Sequence, residues 1–325
     1  MKSKITILIG LCCSIAISDV LVSAQNNVGD NTSFNSLSKA EVEMLLADVA
    51  KTNPKMVERL ATDPGMKKQQ IENLKQLLAF ASQAKRDGLA SDPTNRQELD
   101  SIRAEILAVN YDREINKDKG PMPAFGFITD DQVKSYWGEN VKIDQADATE
   151  RRTHEAEFND FLNAKIKVLN ANSPEMKDRE INDEEKNQAR DIFAKIRIYK
   201  AEYEQKVKSG ELSKEFVDKA NLQVKVQQAQ FLARLYSEKA AEKTKVTEDE
   251  VAKYIAEHPE MNSVARKVIP RKPVKDYVRE KLQADKEKQY LDKIVTDNNI
   301  QVPLDFAVPV VTKPQTPKAL KKRTK

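Results

Sequence analysis

Three kinds of side chain in this sequence could do chemistry, and their spacing limits what that chemistry is. Carboxylates cluster at Asp130-Asp131 and at Glu248-Asp249-Glu250. Neighbouring carboxylates can divide acid and base roles or hold a cation. Here each cluster follows a threonine, in Thr129-Asp130-Asp131-Gln132 and Thr247-Glu248-Asp249-Glu250, which is the pattern of a capped helix start. Acidic residues in a first turn complement the positive end of a helix, so neither cluster is assigned catalysis or metal. The two histidines lie far apart in the chain. His154 follows Arg151-Arg152-Thr153 and is expected in solvent; His258 precedes Pro259, where its charge would favour a helix C-terminus. The two cysteines, Cys12 and Cys13, are adjacent near the N-terminus. That inventory leaves little room for a His/Cys zinc site or for a Ser–His or Cys–His nucleophile. All eight glycines stand singly, so neither a dinucleotide-binding nor a phosphate-binding glycine loop can be written. No catalytic residue, cofactor or metal ligand is assigned.

What remains is apolar contact. The run Gly120-Pro121-Met122-Pro123-Ala124-Phe125-Gly126-Phe127 breaks the helical pattern around it and is expected to be extended. Met122, Phe125 and Phe127 are candidates for an exposed, adaptable contact with an unfolded partner, the other reading being a strand packed on nearby helices. Trp137, beside Gly138 on a short amphipathic stretch, reads first as core and second as a contact platform. These four residues form the candidate client-binding set.

The elements that must position them are helices. The chain has 325 residues, of which 39% are hydrophobic and 33% charged. Typical soluble domains run about 45–50% and about 25%, so the balance is shifted toward water. Leucine, isoleucine, valine and alanine nevertheless recur at helical spacing, and the fold class is all-α. Ser38-Lys39-Ala40-Glu41 is a capping box ahead of a stripe at Val42, Leu45, Leu46 and Val49. Pro54 and the turn Asp63-Pro64-Gly65 open two further helices, the second reaching Gly88. Asp92-Pro93 opens the next, and the two flanking Gly88 are expected to form an αα-hairpin. The order long helix, glycine, long helix, capped short helix then recurs. Asn182-Asp183-Glu184-Glu185 opens a helix closed by Gly210, a helix follows from about Lys214, and then comes Val246–Tyr254. That stretch parallels Ile128–Tyr136, and the two halves read as a possible duplication. A last helix carries Val274, Tyr277, Val278 and Leu282 and stops at Asn298-Asn299. Residues 300–306 read as a short strand or extended clasp.

Residues 1–24 read as a secretory signal peptide, with Lys2 and Lys4 ahead of an apolar run and cleavage expected between Ala24 and Gln25. The expected location is therefore the periplasm or outside the cell. Residues 25–35 are expected as a flexible linker, 36–145 as a first helical lobe and 146–310 as a second. Residues 311–325 read as a basic, disordered tail capable of weak contact with an anionic membrane surface. The net charge of +4 on 55 basic and 51 acidic residues is a mixed surface, not a nucleic-acid-binding one.

At these residues the sequence resembles the SurA/PrsA/PpiD group of exported chaperones, relatives of parvulin-type prolyl isomerases. The resemblance is carried by the leader and long-helix hairpin ending in Gly88, by Val246–Glu260, and by Val274–Phe306. In that group a parvulin domain separates the second and third features. Here only Met261–Pro273 lies between them, and no glycine follows Gly210. The resemblance implies the chaperone scaffold without its isomerase domain: a periplasmic, ATP-independent holdase for unfolded exported or outer-membrane polypeptides. A divergent isomerase and an envelope adaptor with one fixed partner are the alternatives.

Overall fold

A computed structural model describes residues 33–120, 122–139, 145–172, 181–263 and 273–309. The leader at 1–24, most of the linker and the tail at 311–325 lie outside the described residues. The protein is mostly helical, and among the described residues there is no strand, only an isolated parallel bridge between Ser36 and Gln301.

Helix starts are written locally. In α1 (Lys39–Thr52) the Ser38 hydroxyl accepts from the Glu41 N–H at 3.2 Å, and the Glu41 carboxylate accepts from the Ser38 N–H at 2.6 Å. α2 (Pro54–Thr62), α3 (Pro64–Arg86) and α4 (Pro93–Ile115) each begin with proline, capped by Asn53, Asp63 and Asp92. α5 (Asp130–Tyr136) and α9 (Glu248–Glu257) carry the two threonine capping boxes, closed by Gln132 and Glu250. α6 spans Gln145–Asn172, α7 Asp183–Lys208, α8 Lys214–Thr244 and α10 Val274–Asp297. Gly88 (φ 80°) and Gly210 (φ 73°) turn the chain in the left-handed region between α3 and α4 and between α7 and α8.

The long helices do not take their neighbours across these glycines as main partners. α3 packs along α8, and α4 packs on α7, α8 and α6. One apolar cluster joins Leu74, Leu78 and Ala81 of α3 to Leu222, Leu232 and Tyr236 of α8, and extends to Ile294 of α10. A second joins Leu107 and Tyr111 of α4 to Phe158 and Phe161 of α6 and to Phe193 and Tyr199 of α7. A small third cluster packs Val251 of α9 on Val278 of α10. The two main clusters therefore run across the boundary expected at 145/146.

The packing of the six long helices maps onto itself when the halves are exchanged; that of the short helices, α9 on α10 and α5 on α7, does not. Writing α3, α4 and α6 for α7, α8 and α10, the pair α3–α8 becomes α7–α4, and α4–α8 keeps its partners. In the same way α4–α6 becomes α8–α10 and α6–α7 becomes α10–α3, and all of these pairs pack.

The described end of the expected linker is not free. Phe34 is buried in the first cluster, with the Lys85 ammonium 5.8 Å from its ring centre. The Asn35 carbonyl accepts from the Gln301 N–H at 2.8 Å, and the Leu37 N–H donates to the Gln301 carbonyl at 3.0 Å. Phe34 and Leu37, both buried, together with these main-chain bonds seat the segment against the cost of ordering it. Ile300, Val302 and Phe306 are buried in the same cluster.

Candidate functional site

The four candidate contact residues divide into two buried and two accessible ones. Phe125 is buried, which corrects its assignment to an exposed contact. The run around it is not extended but a tight turn: Gly126 N–H donates to the Pro123 carbonyl at 3.0 Å, and Ile128 N–H to the Phe125 carbonyl at 3.1 Å. Phe125 itself has φ 62°, a conformation a bulky residue adopts only when its surroundings impose it. The surroundings are a buried carboxylate on α4. Asp112 accepts from the Phe125 N–H at 2.8 Å and from the Asn116 side chain at 2.8 Å, and Asn116 reaches the Tyr199 hydroxyl at 3.4 Å. The Phe125 ring then tilts against Tyr199 at 6.0 Å.

Trp137 is also buried, at 1% exposure, and leaves the contact set for the core. It stacks on Phe193 at 6.0 Å and meets Phe158 edge-on at 6.0 Å. The Arg190 guanidinium lies 3.8 Å from its ring centre and is itself paired with Glu139 and Glu155 at 3.0 and 2.7 Å. Phe127 is half-buried beneath Lys119, and Met122 is exposed.

His154 is not in solvent as its charged neighbours suggested. Its ring stacks on Tyr136 at 4.0 Å, and Nδ1 lies 2.9 Å from the Tyr136 carbonyl. A carbonyl only accepts, so Nδ1 carries the proton. His258 caps α9 at its C-terminus, 3.2 Å from the Glu260 carboxylate. The two histidines thus serve different helices. Among the described residues no group of three or more His, Cys, Asp or Glu side chains is placed to hold a metal ion.

Two concavities flank α1. On one side a cleft of about 640 Å³ is bounded by the 33–41 segment, α4 and α8, and its walls include Ser36, Glu41, Met44, Arg103, Asp218 and Lys225. The Glu41 carboxylate pairs with Lys225 at 2.9 Å on this wall. Burial works against its charge, but the Ser38 N–H and Lys225 outweigh burial and hold its pKa below the ordinary value. On the other side an apolar groove is walled by Val42, Leu46 and Val49 of α1, Ile71 of α3 and Val226 of α8, with Phe306 across it. The cleft offers donors, acceptors and both signs of charge; the groove is mainly apolar, with Gln70, Gln223 and Gln227 among its walls.

Sequence reasoning missed Phe34, Arg103 and Phe306 as parts of this surface. Phe306 lay within a recognised clasp, but nothing local marked which helix it meets. No protein-family model matches the chain, and no curated protein or solved structure is significantly similar to it.

Proposed function

We propose that the protein is an exported, ATP-independent holdase that binds unfolded polypeptides, with outer-membrane or secreted chains as its clients. The observation that carries the reading is that the helical body already seats non-helical chain. Residues 33–37 and 300–308 lie on it as non-helical segments, seated by Phe34, Leu37, Val302 and Phe306 and joined through main-chain hydrogen bonds. A surface that seats apolar side chains at intervals and pairs main-chain groups recognises unfolded chains with little regard to sequence. The 640 Å³ cleft beside α1 supplies further room of mixed polarity. The resemblance of Val246–Glu260 and Val274–Phe306 to the SurA/PrsA/PpiD group adds the client class and the periplasmic location.

The test is suppression of aggregation when an unfolded outer-membrane protein is diluted out of denaturant in the presence of the purified chain. Suppression at near-stoichiometric amounts, without nucleotide, is the expected result. Unchanged aggregation, together with stable capture of a single envelope protein, would replace the holdase with an adaptor.

A further inference from the structure

We propose that the apolar groove between α1, α3 and α8 is a receptor for an extended apolar polypeptide segment, and that residues 304–308 of this chain occupy it in cis with Phe306 as anchor. The inference rests on the polypeptide-binding reading above and names the site and its resident occupant.

The way the segment is held supports this. Phe306 is only 6% exposed, whereas Leu304, two residues earlier, is 66% exposed. One side chain is therefore seated while its neighbour stands in solvent. The main chain on both sides of the anchor is bonded by side chains of α3 and α1 beside the groove. Lys67 of α3 donates to the Phe306 carbonyl at 3.2 Å, and its ammonium lies 4.2 Å from the Phe306 ring centre. The Glu43 carboxylate of α1 accepts from the Ala307 N–H at 2.8 Å. A carbonyl and an amide are common to every polypeptide, so these two contacts do not depend on sequence. Asp305 adds an ion pair with Lys39 at 3.3 Å, both side chains being more than half exposed. Exposed pairs of this kind contribute little.

The groove is also not filled. A cavity of about 50 Å³ remains among the mainly aliphatic side chains around Phe306, with Gln70, Gln223 and Gln227 also on its walls. Spare room of that kind favours an occupant that fills it better. A single anchor, two sequence-blind main-chain contacts and spare apolar room describe a peptide site with a replaceable tenant. While the cis segment is seated, its high local concentration lowers the apparent affinity for any segment in trans.

The probe is a fluorescently labelled peptide of residues 300–309, titrated with the full chain and followed by anisotropy. The parent chain is expected to bind weakly, and Phe306→Ala, which empties the groove, about ten-fold more tightly. Asp305→Lys loosens the segment from outside by facing Lys39 with a like charge, and is expected to tighten binding about two- to three-fold. The peptide with alanine in place of phenylalanine is expected not to bind. Equal affinity for the parent, Phe306→Ala and Asp305→Lys chains overturns the proposal, as does equal binding of the alanine peptide. Should Phe306→Ala lose its helical circular dichroism, Asp305→Lys decides alone. Aggregation suppression by the parent chain is read separately. Suppression without any peptide effect would remove the groove and leave the holdase, and a peptide effect without suppression would do the reverse.

Discussion

The Lys165 ammonium lies 2.9 Å from the Glu98 carboxylate, with the two side chains only 11% and 10% exposed, and this pair fastens α6 to α4. Glu105, two helical turns further along α4, approaches the same ammonium at 3.3 Å. Burial works against the lysine charge, but Glu105 and Glu98 outweigh it and hold its pKa above the ordinary value. Lys165→Ala leaves two carboxylates facing a low-dielectric interface without their cation, at a cost of about 3–5 kcal/mol in urea denaturation. The raised pKa means that the pair's contribution is whole below the ordinary lysine pKa. It is lost as pH rises through the folded-state value, so the parent chain, and not the alanine variant, loses stability in that alkaline range.

Trp137 is the one tryptophan of the sequence, which makes its burial directly readable. Its fluorescence should be blue-shifted and resistant to acrylamide until the chain unfolds. Trp137→Ala should destabilise by about 3–5 kcal/mol, because the ring leaves a cavity against Phe193 and Phe158. Client suppression per folded molecule should be unchanged. Ready quenching in the native state would return Trp137 to the contact surface.

How far the sequence carries the fold can be seen from these residues. Helix starts are local: a hydroxyl or carboxamide and the carboxylate or carboxamide three residues on decide them, so Ser38, Thr129, Asn182 and Thr247 are all legible. A 3.6-residue stripe says which face is buried but not against what. The stripe of Leu74, Leu78 and Ala81 is equally compatible with α4 and with α8, and tertiary packing chose α8. The amphipathic setting of Trp137 pointed to the core, as found. Phe125 gave no such signal, because its burial depends on Asp112, thirteen residues upstream, accepting from its N–H. The histidine at 154 was misjudged for a related reason: its partner Tyr136 lies on another helix.

Asp112 should therefore be needed for the turn that buries Phe125. Asp112→Ala leaves the Phe125 N–H and the Asn116 side chain without their acceptor, costing about 1–3 kcal/mol. Amide exchange at Phe125 should quicken more than exchange along α8. Uniform exchange in the variant would show that the carboxylate does not hold the turn.

The exchange of packing between the two halves makes a prediction about Gly88 and Gly210. Both have positive φ and open space where a Cβ would stand. Alanine at either position meets backbone strain alone, about 1 kcal/mol, and the two costs should match. A large difference in denaturation midpoint would argue against equivalent roles for the two turns.

Glu41 links acid to the wall of the cleft. Its depressed pKa means that its contribution is present above the ordinary glutamate pKa and is lost as pH falls through the folded value. Amides of α1 should lose protection in mild acid before those of α3. Glu41→Gln, which cannot pair ionically with Lys225, should remove that pH dependence. Parallel loss of protection in α1 and α3 would assign the acid response elsewhere.

We propose that this helical body holds unfolded chains without catalysing their isomerisation. The most direct measurement combines, on one preparation, dilution of an unfolded outer-membrane protein with a proline-peptide isomerisation assay. The account predicts suppressed aggregation without nucleotide and isomerisation at the uncatalysed rate. Undiminished aggregation, or isomerisation clearly above that rate, would contradict it.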